Sequence, residues 1–354
     1  MDLIVLLHLA LGLTLLMVGN EMSMAALARL SSAMGQAWLA NSGALATIGN
    51  ALPAAIVSIL AAVQGHGDLA LGNVLGGHIA GLLPVLGCSA LLAPLLLPAR
   101  LLRVELPILL GALLLAFLLA QDSTLDRLDA SLLLLGALAY ALWHWRAMKA
   151  SAVVNEDSST NTRRRRRTWV LAPLQLLLGI ALLYSGAVRL LDGTRDMALA
   201  LGLSDLLAGL TLLALLTSIP LLFSVVGRLL HGERERAASH IVAACIINLL
   251  LVLGLAALLS PHSLSVSPNA LDIDFPVMLM ATLACLMIAC AGRMPRWQGV
   301  LLLGHYAAYV LYLALFATGR PQLERLDHIL FAYALPLTIL ALSIPIWLQR
   351  KTRS

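Results

Sequence analysis

The chain has 354 residues, of which 60% are hydrophobic and only 12% charged, with a formal net charge of +5 and a mean hydropathy of +0.93. One water-soluble domain cannot keep that much apolar surface from solvent, so the composition excludes a soluble globular protein and predicts an integral membrane protein. The long Leu/Ala runs fit helices rather than the short alternating strands of a membrane barrel, so the fold class is all-α and polytopic.

A bilayer core of about 30 Å takes roughly 20 apolar residues per helix. In chain order the sequence predicts spans over 3–19, 39–63, 69–98, 104–121 and 128–146, then over 169–191, 203–230, 236–260, 271–291 and 297–317. One more, 328–348, follows by itself. The N-terminal run has no Lys or Arg ahead of it and no convincing cleavage site, so it reads as the first span and not as a signal peptide. Cys88, Cys245, Cys285 and Cys290 all fall in spans and form no CxxC pair, which reads as small buried hydrophobes.

The stretch MKASAVVNEDSSTNTRRRRRT, 148–168, is polar and has no hydrophobic period, so it is expected to be a mobile cytoplasmic loop. Its five arginines, 163–167, are either a basic flank that sets topology or a contact for anionic lipid headgroups. With the N-terminus placed outside, 18 of the 23 basic residues fall on the cytoplasmic side and 5 on the outer side, as the positive-inside rule requires. The C-terminus is then cytoplasmic, and the positive net charge calls for no nucleic-acid partner. The loop divides the chain into a first half of five spans, 1–147, and a second of five, 169–318, with the extra span and a basic tail at 319–354.

The halves are copies. ATIGNALPAAIVSILAAVQG at 46–65 aligns with LALLTSIPLLFSVVGRLLHG at 213–232, so that Pro53 and Pro220 differ by 167 positions, as do Leu86 and Leu253 at the heads of LGCSALL and LGLAALL. Farther on the offset is 169, pairing Glu105 to Pro107 (ELP) with Asp274 to Pro276 (DFP), and Tyr140 with Tyr309. An odd number of spans in each copy sends the second into the membrane from the opposite side. Inverted repeats follow, and they are the architecture of alternating-access transporters, with a site at the midplane between the repeats and interrupted helices around it. Interruptions are expected at Gly49 and Pro53 in the second span, at Gly72, Gly76, Gly77, Gly81 and Pro84 in the third, and at Pro220 in the seventh, since proline removes a donor and frees a carbonyl.

With these motifs located, the chain resembles the cation/calcium exchanger superfamily, of the bacterial sodium/calcium exchanger type, over residues 1–317. That family carries two repeats of the form GTSLPE, each followed by GNxxGSNxxN or GNxxGSNxxD and a Leu-rich run. Here the first copy reads GNALPA, 49–54, then GDLALGNVLGGHIAGLLPVLGCSALL, 67–92; the second reads LTSIPL, 216–221, then ASHIVAACIINLLLVLGLAALLSP, 238–261. The resemblance implies alternating access by sliding of the first and sixth helices. It also implies a calcium site built on the two repeat glutamates. Those positions are Ala54 and Leu221 in this chain, the small hydroxyls are Gly77 and Ala244, and the final amide or acid is Gly81 in one copy and Asn248 in the other. Hard divalent cations want carboxylate oxygens, and two uncompensated charges in hydrocarbon cost many kcal/mol, so ordinary sodium/calcium exchange is not expected.

The polar positions that survive, Asn50, Asn73, Thr217, Ser218 and Asn248, with His78, form the expected binding site, suited to a proton, a monovalent ion or a small neutral or anionic solute. His78 is either a proton carrier or a neutral core histidine bonded to a carbonyl. Glu21, after the first span, is either a coupling carboxylate or a surface acid paired with Arg29. His240 reads as an interface residue beside Glu233 to Arg236, and Asp68, Asp205, Asp272 and Asp274 as caps and solvated anchors at outer span ends, although Asp68 and Asp205 also fit a cation-attracting vestibule. No GxSxG, HExxH or Walker motif occurs, so no enzyme and no cofactor is expected. Two functions stand: a secondary transporter with changed substrate or coupling ion, and a transport-incompetent scaffold or regulatory partner that keeps the fold. The extra C-terminal span either packs outside the bundle or joins copies of the chain in a homo-oligomer.

Overall fold

A computed structural model describes residues 3–33, 44–152 and 162–318, with side chains described for all of these except 44–48, 50, 147–152 and 162–170. The span at 328–348 lies outside them. The described residues form ten helices: α1 Leu3–Ala33, α2 Ala44–Val63, α3 Gly67–Leu92, α4 Leu101–Asp122, α5 Arg127–Ala152, α6 Thr162–Leu201, α7 Asp205–Leu230, α8 Arg234–Leu259, α9 Ala270–Cys290 and α10 Arg296–Thr318. All but α2 contain a stretch long and apolar enough to cross a membrane, and α2 has a shorter apolar stretch, Ala51–Val63. Four two-residue strands join them: β1 Leu95–Leu96, β2 Thr124–Leu125, β3 Leu264–Ser265 and β4 Arg293–Met294.

The duplication read from the sequence recurs in the elements. Helix α3 carries a π-helical turn at Gly81–Val85 and α8 one at Asn248–Val252, 167 positions on. Helix α4 opens with a π turn at Leu101–Glu105 and α9 with one at Ala270–Asp274, 169 positions on. The strands prove the inversion. Strand β1 pairs with β4 and β2 with β3, both antiparallel. By the offset of 169, the counterpart of β1 is β3. Yet β3 sits with β2, which lies at the far end of the 22-residue α4, about 33 Å from β1. Equivalent elements of the two copies therefore lie on opposite faces of the bundle.

Several expectations are corrected. The first and sixth spans are not 17 and 23 residues but 31 and 40, because both helices run on into the polar sequence at 20–33 and 162–168, which contains no Pro or Gly stop, and α6 also continues through Gly193 to Leu201. For the same reason α5 reaches Ala152 and α6 starts at Thr162, so helix extends into both ends of the stretch read as a loop. Pro53 and Pro220 do not interrupt their helices, which run through them; each proline removes one donor and the neighbouring turns hold. Irregularity falls instead on the π turns, of which the one in α3 contains Pro84. All four cysteines are free, but only Cys245 and Cys285 are buried, whereas Cys88 is half-buried and Cys290 exposed.

Helices α3 and α8 form the centre. They are the most buried of the apolar helices, while α5, α6 and α10 show most of their surface to the outside, as lipid-facing helices do. Helices α1 and α6 pack along one another where Gly12 and Gly19 face Gly186 and Gly179. Small residues of this kind let backbones approach closely, which is how apolar helices gain contact in a bilayer.

Candidate functional site

A cavity of about 30 Å³, room for at least one water molecule, lies where α2, α3, α7 and α8 meet. Its wall is Ala51 and Ala54 from α2, Gly77 from α3, Thr217, Ser218 and Leu221 from α7, and Ala244, Cys245 and Asn248 from α8. Ala54 and its counterpart Leu221 both line it, as do Gly77 and its counterpart Ala244, so matched positions of the two copies meet in one wall. No lining residue carries a charge, and no group of three or more His, Cys, Asp or Glu able to hold a metal occurs among the described residues.

The polar groups of the wall are held in fixed roles. Thr217 donates from Oγ1 to Asn73 Oδ1 at 2.8 Å, and Asn73 in turn donates from Nδ2 to Ser58 Oγ at 2.8 Å. Ser218 donates to the Ala214 carbonyl at 2.7 Å. Asn248 donates from Nδ2 to the Val74 carbonyl at 2.8 Å, and its Oδ1 is buried without a partner. A carbonyl can only accept, so that bond also fixes which end of the amide is which. Both hydroxyl protons are thus committed to protein acceptors, and lone pairs of Thr217, Ser218 and Asn248 remain. The Asn248 amide lies 3.0 Å from where a Cβ on Gly77 would stand, so glycine there keeps room for it.

The structure brings Thr217, Ser218 and Asn248 together at the cavity and places Asn73 behind Thr217. His78 turns away from it, with Nε2 3.1 Å from Thr282 Oγ1 on α9. Because Thr282 gives its own proton to the Met278 carbonyl at 2.8 Å, Nε2 is the protonated nitrogen, and Nδ1 is buried without a partner. The Asn50 side chain is outside the described set. Glu21 is exposed on α1, and Arg29 donates not to it but to Gln175 Oε1 on α6 at 2.7 Å.

Two further readings change. His240 is no interface residue: it is buried, with Nε2 3.4 Å from Ser224 Oγ, in the position that the offset of 167 assigns to Asn73. Asp274 is no solvated anchor, being 2% exposed. Asp68 and Asp205 remain at the surface, where Asp68 accepts from Ser265 Oγ and Asp205 lies 3.5 Å from His66 Nδ1. Sequence reasoning missed Ser58 and Cys245 as parts of the site; a small polar residue 15 positions before Asn73 carries no signal until α2 and α3 are packed together.

The bond between Thr217 and Asn73 spans the two repeats, and its loss has a measurable cost. Thr217→Val leaves Asn73 Oδ1 buried and unpaired, so a destabilisation of about 1–3 kcal/mol is expected, read as a lower midpoint in thermal unfolding of the detergent-solubilised protein.

Comparison with known proteins agrees with this geometry. The pattern of the sodium/calcium exchanger protein family matches residues 4–146 and 171–315, the two halves on either side of the polar stretch. The chain belongs to that family. It is similar to the inner membrane protein YrbG of Escherichia coli, with 32% identity over 274 residues, 75% of this chain and 83% of that one. It is similar also to the sodium/calcium exchanger MaX1 of Methanosarcina acetivorans, with 27% identity over 341 residues, 86% and 97% of the two chains. Among solved structures, a sodium-calcium exchanger, NCX_Mj, superposes with a TM-score of 0.63 over 88% of this chain and 99% of its own, at 23% identity, which speaks for the fold. The cavity of this exchanger-family protein therefore lies between the two repeats of an exchanger fold.

Proposed function

We propose that the chain is a secondary transporter of a bacterial inner membrane that works by alternating access and takes a monovalent cation in the central cavity. The observation that carries this reading is the set of neutral oxygen lone pairs left free by the hydrogen bonds of Thr217, Ser218 and Asn248. Such a wall attracts a cation and offers an anion little. With Ala54 and Leu221 in place of acids it compensates one positive charge far better than two, because a divalent ion in a low-dielectric site needs carboxylates. The cavity holds one small ion stripped of water, and access alternates by movement of the α1 and α6 pair along the rest of the bundle. The face bearing β1 and β4 also bears Arg100, Arg103, Arg293 and Arg296, and is the cytoplasmic one by the positive-inside rule.

Flux in proteoliposomes under sodium, potassium, proton and calcium gradients tests this. Sodium or potassium flux is expected and calcium flux is not; calcium flux in the native chain, or no flux of any ion, overturns the reading, and the second result favours a scaffold. Asn248→Leu removes the one unpartnered oxygen, a loss of about 1.5–3 kcal/mol for a bond to a charge. The apparent affinity for the transported ion should fall about 10- to 100-fold.

A further inference from the structure

Two carboxylates are buried among the described residues, Glu105 at 6% exposure and Asp274 at 2%. They are repeat counterparts. Glu105 ends the opening π turn of α4 and Asp274 that of α9, and since β1 precedes one and β3 the other, they stand near opposite faces of the bundle. The tyrosines on the following spans, Tyr140 and Tyr309, are counterparts too.

Their surroundings differ in one decisive respect. Glu105 has a cation, with Arg100 Nε 3.6 Å from Oε1, while its Oε2 is buried without a partner. The guanidinium of Arg100 is itself seated over the Trp143 ring, 5.2 Å from its centroid. At the second copy the offset of 169 puts Asn269 where Arg100 stands, so that charge has no counterpart. Asp274 has instead a neutral donor, Tyr309 Oη, which gives its proton to Oδ1 at 2.7 Å. Tyr306 precedes Tyr309 by about one turn on α10, Asp272 shares the turn of Asp274, and α4, packed along α9, has only apolar side chains from Leu106 to Leu119. Arg103 and Glu105 belong to the other end of α4, as the contact of Phe117 with Phe275 at 5.4 Å shows.

We propose that Asp274 is a proton-binding site, separate from the central cavity, in which Tyr309 orients the carboxyl group and a proton supplies the charge that Arg100 supplies to Glu105. A buried acid inside a membrane span has a functional role by default and needs a named partner, and here the partner is a phenol that stabilises either form without neutralising it. Glu105 is the ion-paired counterpart. The protonated Asp274 Oδ2 carries the hydrogen while Oδ1 keeps accepting from Tyr309, so no bond in the fold has to break when the proton leaves.

Infrared difference spectroscopy of the full-length protein in lipid nanodiscs, stepped from mildly acidic to mildly alkaline buffer, tests the site directly. The native chain should lose a carboxylic-acid C=O band and gain a carboxylate band. Asp274→Asn should abolish that pair of bands, Glu105→Gln should leave it in place, and Tyr309→Phe should keep it but shift its frequency through loss of the phenol bond, which a purely structural role does not predict. A band pair that survives Asp274→Asn, or a native spectrum with no such pair, overturns the proposal. If Asp274→Asn does not fold, Tyr309→Phe alone decides, because an unshifted band excludes Asp274 as its source. The readout needs no transport, so its failure is distinct from a failure of the cavity reading, which ion flux reports.

Discussion

Ala54→Glu combined with Leu221→Glu should create calcium binding in the central cavity, with a dissociation constant of roughly 10⁻⁴–10⁻³ M, as for oxygen sites of modest charge. Both positions line the cavity with Ser218 and Asn248, so the introduced carboxylates stand where neutral oxygens already are. Each single variant should do much less. Leu221 is buried, and one acid there without a partner ion or second carboxylate is a buried uncompensated charge, which destabilises the protein. The double variant should therefore be more stable in calcium than without it, and the effects of the two substitutions should not add. Radiolabelled calcium binding and thermal unfolding with and without calcium check this. A double variant that folds yet binds no calcium would show that the cavity does not have the geometry of an exchanger site.

The second large effect is expected at the crossing of α1 and α6. A Cβ on Gly19 would stand 2.7 Å from the Leu183 nitrogen and 2.8 Å from the Gly179 carbonyl oxygen, both backbone atoms that cannot step aside. Gly19→Leu must therefore push the helices apart along a contact that runs from Gly12 to Ser23, with a loss of about 3 kcal/mol or more, at the upper end of what overpacking costs. Gly111→Leu is the control, since nothing lies within 4 Å of a Cβ there, and it should be close to neutral. Unfolding midpoints in detergent compare them. Because alternating access moves α1 and α6 as one body in the proposed mechanism, any Gly19→Leu protein that survives should also lose flux more completely than its stability loss explains. Equal midpoints for the two variants would refute the tight crossing.

Sequence by itself determined the membrane class, the duplication and its offsets, because hydropathy and motif spacing are properties of the chain read in order. It also identified the family, because the two copies of the repeated motif stand at fixed spacing, and no packing can give Ala54 or Leu221 a carboxylate. Element ends were less legible. Polar sequence after residue 19 and around 148–168 resembles loop, and only the contact between long helices and the lack of Gly or Pro stops carried the helices onward. What tertiary structure alone decided was partnership. His78 and Asn248 were equal candidates as letters in one motif, yet α9 claims the histidine through Thr282 while the Val74 carbonyl turns the Asn248 amide so that its oxygen is left free beside the cavity. Asp274 ends a span, where an acid is ordinarily solvated, but the inverted packing of α9 and α10 lays Tyr309 over it and removes the water. Burial and hydrogen-bond choice depend on which helix faces meet, and that is set by residues from 35 to 204 positions apart, beyond the reach of any local pattern.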